Sequence, residues 1–148
     1  MTIYDLLHKD HEEISKLLNK LETSSEGAIK TRENTFSKLK NELTAHSEAE
    51  QQTFYTALKN NEKTHELILE GIQEHELVSH LLEELDSMNK GTEDWKAKLS
   101  VLRENVEHHV DEEENELFEH ARQVLSDDQA QRIARQFEEQ KQQSMANA

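Results

Sequence analysis

Residues 104–120 read ENVEHHVDEEENELFEH, eight acids and three histidines without a single Lys or Arg. A helix built only to face water would intersperse basic residues, because like charges four apart repel. At helical spacing the stretch divides. Leu99, Leu102, Val106, His109, Glu113 and Leu117 recur at intervals of three and four, so they share one face. Glu112, Glu114 and most of the other acids fall elsewhere around the helix and are expected to meet solvent. One histidine and one glutamate are thereby set into an apolar stripe.

The same pattern occurs upstream. Phe36, Leu39, Leu43, His46 and Glu50 repeat the 3–4 spacing, continuing to Thr53 or Phe54 and then Ala57. A third stripe runs Ile68, Gly71, His75, Val78, Leu82, Leu85, and a fourth passes from Leu7 through His11 and Ile14 to Leu18. Each of four helical segments therefore turns a histidine inward. Two of them add a glutamate one turn later, as HSEAE and HVDEE.

Breaks at residues 23–27, 60–64, 89–92 and 126–128 separate five segments. Helices are expected over about 2–22, 28–59, 64–89, 92–124 and 127–142, the last opening on Ser126 with Gln129 three residues on. The chain has no proline and three glycines, which favours long helices and gives little strand signal. Connections this short make successive helices antiparallel. The expected fold is all-α: an up-down-up-down four-helix bundle over residues 1–125, with a short C-terminal fifth helix packed as an appendage and a frayed tail over 126–148. Helices 2 and 4 then run parallel, which brings both His-x-x-x-Glu units to one level.

Several function classes drop out. A net charge of −15 argues against nucleic acid or an anionic membrane as partner. The absence of cysteine excludes disulfides and thiolate chemistry. No run approaches the roughly 20 apolar residues of a membrane span, and the charged N-terminus lacks an apolar signal core. A cytoplasmic location is the expectation.

Inward glutamates need a counter-charge, since an unpaired buried carboxylate costs several kcal/mol. The facing stripes carry histidines instead of Lys or Arg, so a bound cation is the economical solution. Residues four apart on a helix lie about 5–6 Å apart at Cβ and can ligate together. His11, His46, Glu50, His75, His109 and Glu113 form the candidate metal set. Imidazole and carboxylate without sulfur suit iron, manganese or zinc, and six protein ligands exceed the needs of one tetrahedral zinc. With both glutamates bridging two metals, and one solvent-derived bridge, one position per metal stays open for a small molecule. The Glu-x-x-His of ferritin-like di-iron bundles occurs only at Glu62–His65, at a helix start, and HELVSH is one residue too long for a zinc-protease helix. His80 is a replacement-ligand candidate, and His108 is a candidate ligand or a hydrogen-bond donor to one. Tyr55 and Tyr4 are candidate hydrogen-bond donors beside the site, with core or edge packing the stronger expectation for both, and Gly71 leaves room either for diatomic entry or for close helix packing.

At IYDLLHKDHEEI, LTAHSEAEQQTFY, QEHELVSHLLEEL and NVEHHVDEEENELF, covering about residues 3–124, the chain resembles the hemerythrin-like (HHE cation-binding) family. The resemblance implies a four-helix bundle around two non-haem iron ions in an oxo- or hydroxo-bridged di-iron centre. Its ligands would be the same six residues, with the two glutamates as bridges. It further implies a small-molecule ligand such as O₂, peroxide or NO, with peroxide consumption among the activities. The alternative is an iron- or redox-sensing, or iron-holding, module without catalysis. Where oxygen-carrying members show His-x-x-x-His on helix 3, Ser79 stands four after His75, and helix 4 carries Glu113 in place of an aspartate one residue further on. These departures argue against reversible O₂ carriage.

Overall fold

Thr2 opens the first helix with a capping box: its hydroxyl accepts from the Asp5 amide while the Asp5 carboxylate accepts from the Thr2 amide. The structure, a computed structural model, describes residues 1–148. Helix α1 is Ile3–Glu22, α2 begins as Ile29–Glu50, α3 is His65–Ser87, α4 begins as Glu93–Glu112, and α5 is Asp127–Ala146. Around the bundle α1 packs on α2 and α4, and α3 packs on the same two. No helix is long and apolar enough to cross a membrane.

Helices α2 and α4 are not regular throughout. Each passes through a π-helical turn directly after its His-x-x-x-Glu unit, at Gln51–Tyr55 and Glu113–Leu117, then resumes as Thr56–Leu58 and Phe118–Val124. A π turn inserts one residue and advances everything after it by one position around the helix. The expected inward residue Ala57 is accordingly exposed and its neighbour Leu58 is fully buried. The adjacent pairs Phe54–Tyr55 and Leu117–Phe118 are both buried for the same reason. Thr56 steadies the first widened turn, its hydroxyl donating to the Gln51 carbonyl at 2.7 Å.

The core consists of two apolar clusters with a polar layer between them. One holds Leu7, Ala49, Phe54, Leu58, Ile68 and Leu117; the other holds Ile14, Leu43, Val78, Trp95, Leu99 and Val106. His11, His46, His75 and His109 lie in sequence between members of the two clusters, so all four occupy the layer.

Helix α5 opens on the expected capping box of Ser126 and Gln129 and continues to Ala146, four residues past the expected end. It does not hang as an appendage. Ala130, Ile133, Ala134 and Phe137 join the first apolar cluster, and the helix lies along α1 and α2. Ser144, in the stretch expected to fray, donates from its hydroxyl to Glu48 at 2.8 Å.

Candidate metal centre

The polar layer can be built from the residues upward. Four-residue spacing before each π turn carries Glu50 one turn beyond His46 and Glu113 one turn beyond His109. Glu50 is fully buried and Glu113 is 2% exposed. Two triads result: His11, His46 and Glu113, and Glu50, His75 and His109, with the donor atoms of each triad within 4.8 Å of one another. Each carboxylate also reaches the other triad. Glu113 stands 3.3 Å from His11 Nε2 and 3.4 Å from His109 Nε2, while Glu50 stands 3.1 Å from His75 Nε2 and 3.8 Å from His46 Nε2. All six residues selected from the sequence thus meet in one place. His80, His108 and His8 are exposed and outside it.

The imidazoles are aimed by a closed ring of hydrogen bonds. On the outer side of each ring, Nδ1–H donates to an acceptor on the neighbouring helix. His46 of α2 donates to Asp10 of α1 (2.8 Å), and His75 of α3 to Gln51 of the first π turn (2.7 Å). His109 of α4 donates to Glu74 of α3 (2.6 Å), and His11 of α1 to Glu114 of the second π turn (2.6 Å). Every helix path supplies one acceptor to the histidine of the next. An oxygen acceptor holds the proton on Nδ1 and leaves the Nε2 lone pair facing the centre, as outer partners of metal-bound histidine do.

Sequence reasoning assigned none of these four acceptors, and it placed Glu114 among the solvated acids. A usable signal exists: Asp10, Gln51, Glu74 and Glu114 each adjoin an inward residue, His11, Glu50, His75 and Glu113. A residue one position off the inward stripe lies at the seam with the adjacent helix, where it meets that helix's histidine. Tyr55 completes the surroundings. Its hydroxyl donates to Glu113 Oε2 at 3.0 Å, and its ring stacks on His75 at 5.2 Å between centroids and 6° between planes.

Nine buried side-chain N and O atoms lack a hydrogen-bond partner, and seven belong to the six central residues: Nε2 of all four histidines, both Glu50 oxygens and Glu113 Oε1. Orphaned polar atoms inside a protein are rare and costly. Seven converging on one point, four imidazole nitrogens and three carboxylate oxygens, are the donor set of a site for borderline metal ions. The residues therefore fit a metal.

Electrostatics lead to the same conclusion. Burial and the Glu113 charge push the Glu50 carboxyl well above its ordinary range. Burial also opposes ionisation of Glu113, but contacts with His109 and His11 hold that carboxyl well below the usual value. Burial lowers both His11 and His109, yet Glu113 with Glu114 or Glu74 outweighs it and holds them up to about 9 and about 10. Burial and the charge of His109 push His75 down to about 3. Positive charge is thus required around Glu113, and a cation at the Nε2 atoms would compete with those protons.

Fold and site together define a metal-binding helical-bundle domain. The hemerythrin HHE cation-binding domain model matches residues 2–121, and the chain belongs to that family. Over 99% of this chain and 89% of the other, the fold also matches the crystal structure of a hemerythrin HHE cation-binding domain-containing protein from Mycobacterium kansasii, with a TM-score of 0.87 at 22% identity. A curated relative from Nostoc, described as a DNA nickase, is 29% identical over 140 residues. Those residues are 93% of this chain and 38% of that relative's length.

Proposed function

We propose that this protein is a non-haem di-iron protein of the hemerythrin-like type that binds a small oxidant, O₂, peroxide or NO, and that peroxide is the first substrate to test. One observation carries the reading: seven unpartnered donor atoms belong to six residues from four helices, those residues form two triads, and each carboxylate lies within reach of both. In this reading His11, His46 and Glu113 would hold one iron, and His75, His109 and Glu50 would hold the other. The iron pair, when bound, supplies the redox electrons and the open positions for the oxidant.

The polypeptide sets the remaining conditions. The ring of Nδ1 bonds fixes each imidazole before any ion arrives, which limits reorganisation on binding. Apolar clusters above and below the layer keep bulk water from its two ends. Access lies between helices. A crevice of about 290 Å³ between α2 and α3 is lined by Leu43, Gln51, His75 and Ser79, and suits a small ligand. Ser79 is exposed there, so no fifth histidine covers that flank of His75. Tyr55, bonded to Glu113 on the opposite side, is placed to hold a proton at Oη. The nickase activity described for the relative forms no part of this reading, because a net charge of −15 opposes DNA binding.

The test is to purify the protein after iron supplementation, measure metal per chain, and record visible spectra with and without O₂ and peroxide. Two irons per chain with oxo-bridge charge-transfer bands are expected. Metallation below about a tenth of chains would sink the proposal. A second reading, sensing or holding iron without turnover, is favoured if oxygen evolution from peroxide does not exceed that of free iron.

A further inference from the structure

Of the four acceptors in the histidine ring, one is itself held by a cation. Asp10 receives His46 Nδ1–H on Oδ2 and the Lys141 ammonium on Oδ1, both at 2.8 Å. Lys141 also lies 3.1 Å from Glu42 of α2, so it joins a carboxylate on α1 to one on α2. Glu74 and Glu114 have no Lys or Arg partner, and their side chains are 26% and 24% exposed against 12% for Asp10. The difference follows from α5, which lies along α1 and α2 and covers the seam at which Asp10 sits. The same helix places Phe137 edge-on against the His46 ring, with centroids 5.7 Å apart and planes at 77°. The family match ends at residue 121, before α5 begins at Asp127, so the covering element lies outside the matched region.

We infer that Lys141 is a positioning residue for His46, acting through Asp10, so that the C-terminal helix controls one half of the metal pair and leaves the other half untouched. The chemistry is direct. Without a cation, Asp10 and Glu42 face each other across a partly buried seam, and like charges there repel. Asp10 would then turn away from Glu42, and that removes the acceptor that keeps the His46 proton on Nδ1. An imidazole freed in this way exchanges tautomers, and its Nε2 is no longer reserved for a metal. Loss of such an outer partner typically costs about 10–100-fold in metal affinity. His75 and His109 depend on Gln51 and Glu74 and have no contact with α5 that would transmit the change.

Two measurements on the full chain test this, and only the first rests on the metal-pair reading. In the first, visible-range titration with Co²⁺ follows wild type, K141M, K141R and S144A. Wild type is expected to bind two ions. K141M should keep one at wild-type affinity and bind the other at least tenfold more weakly, and K141R should restore the second, because a guanidinium can also span Asp10 and Glu42. S144A removes a different α5 anchor, the bond to Glu48, and should leave both steps unchanged. In the second, ¹⁵N NMR of the His46 ring in chelator-treated protein reads the tautomer directly. A single Nδ1–H form is expected in wild type and K141R, and a mixture in K141M. If K141M matches wild type in both measurements, or if S144A weakens the same ion equally, Lys141 is only a helix anchor and the inference is overturned. If wild type takes up no Co²⁺ while the tautomer still responds to K141M, the metal-pair reading fails and the positioning role stands.

Discussion

Gly71 and Tyr55 occupy one another's space. A β-carbon at Gly71 would stand 2.6 Å from the Tyr55 hydroxyl oxygen and 3.0 and 3.1 Å from two ring carbons, while that hydroxyl donates to Glu113. The gap left by glycine in α3 is therefore filled by a phenol. Of the two roles expected for Gly71, close packing is the one found, and the phenol takes the room that a diatomic would have used.

Gly71→Ala should consequently destabilise the protein, although alanine ordinarily gains about 1 kcal/mol over glycine inside a helix. Overpacking at a buried, stacked ring costs about 1–3 kcal/mol, and Tyr55 must leave Glu113 to relieve it. Urea unfolding of G71A, Y55F and the double variant gives the coupling. The cost of G71A should shrink in the Y55F background, where the tightest contact is gone. Equal costs in both backgrounds would show that the Tyr55 hydroxyl is not the obstacle.

Glu113→Ala should abolish stable occupancy of both metal positions, since its carboxylate faces His11 and His109 at once. His108→Ala should leave metal content unchanged, because that side chain is 65% exposed and pairs only with Glu112 and Glu74. Elemental analysis of the two variants decides the point. A greater loss from H108A would mean that the inward register of α4 is wrong by one residue.

Metal removal should lower stability markedly. A ligand that binds only the folded state contributes about 4 kcal/mol when its free concentration is about 1,000 times its Kd. Differential scanning calorimetry of iron-loaded protein, before and after chelator treatment, should show a lower Tm for the stripped form. An unchanged Tm would mean that the site holds no tightly bound ion.

The chelator-treated protein should be most stable near neutral pH. His11 and His109 are held up to about 9 and about 10 from an unfolded value of 6.5. Their stabilisation is fully present below about 6.5 and is lost as pH rises through those values. The raised Glu50 carboxyl also loses stabilisation as pH rises, from about 4.5 upward, and the lowered His46 offsets this by losing its own as pH falls below 6.5. His75 is pushed down to about 3, so its contribution is present above 6.5 and lost as pH falls towards 3. The depressed Glu113 carboxyl acts in the same direction once pH drops below 4.5. Denaturant midpoints at pH 4.5, 6.5 and 9.5 should show the middle value highest. A profile rising steadily to pH 9.5 would contradict the charge arrangement around Glu113.

Arg32 offers a test of stability remote from the metal. It is fully buried, bonds to the Ser24 hydroxyl and carbonyl and the Lys90 carbonyl, and lies 5.1 Å over the Trp95 ring. Arg32→Met leaves two half-buried carbonyls without donors and strips a buried side chain of its bonds, and should cost about 1–3 kcal/mol in urea unfolding. Arg32→Lys should recover only part of this, because an ammonium cannot reproduce the planar fork. Both variants should retain full metal content.

The four helical stripes, the antiparallel order and the convergence of His11, His46, Glu50, His75, His109 and Glu113 were legible in the sequence. Helical periodicity by itself decides which residues share a face, and short connections decide how faces oppose. What lay between helices was not legible. The π turns could not be read because Phe54–Tyr55 and Leu117–Phe118 are compatible with either helix type, and only packing selects the widened turn that buries both. The ring of acceptors was missed because Asp10, Gln51, Glu74 and Glu114 serve histidines 24 to 103 residues away. Their role depends on which seam each one reaches. Helix α5 was expected from its cap and apolar spacing, yet its place over the α1–α2 seam, and with it the contact of Lys141 to Asp10, was decided by tertiary structure alone. The physical reason is one of range. Spacing along a helix determines direction from the axis, whereas the partner met in that direction depends on how five helices settle against one another.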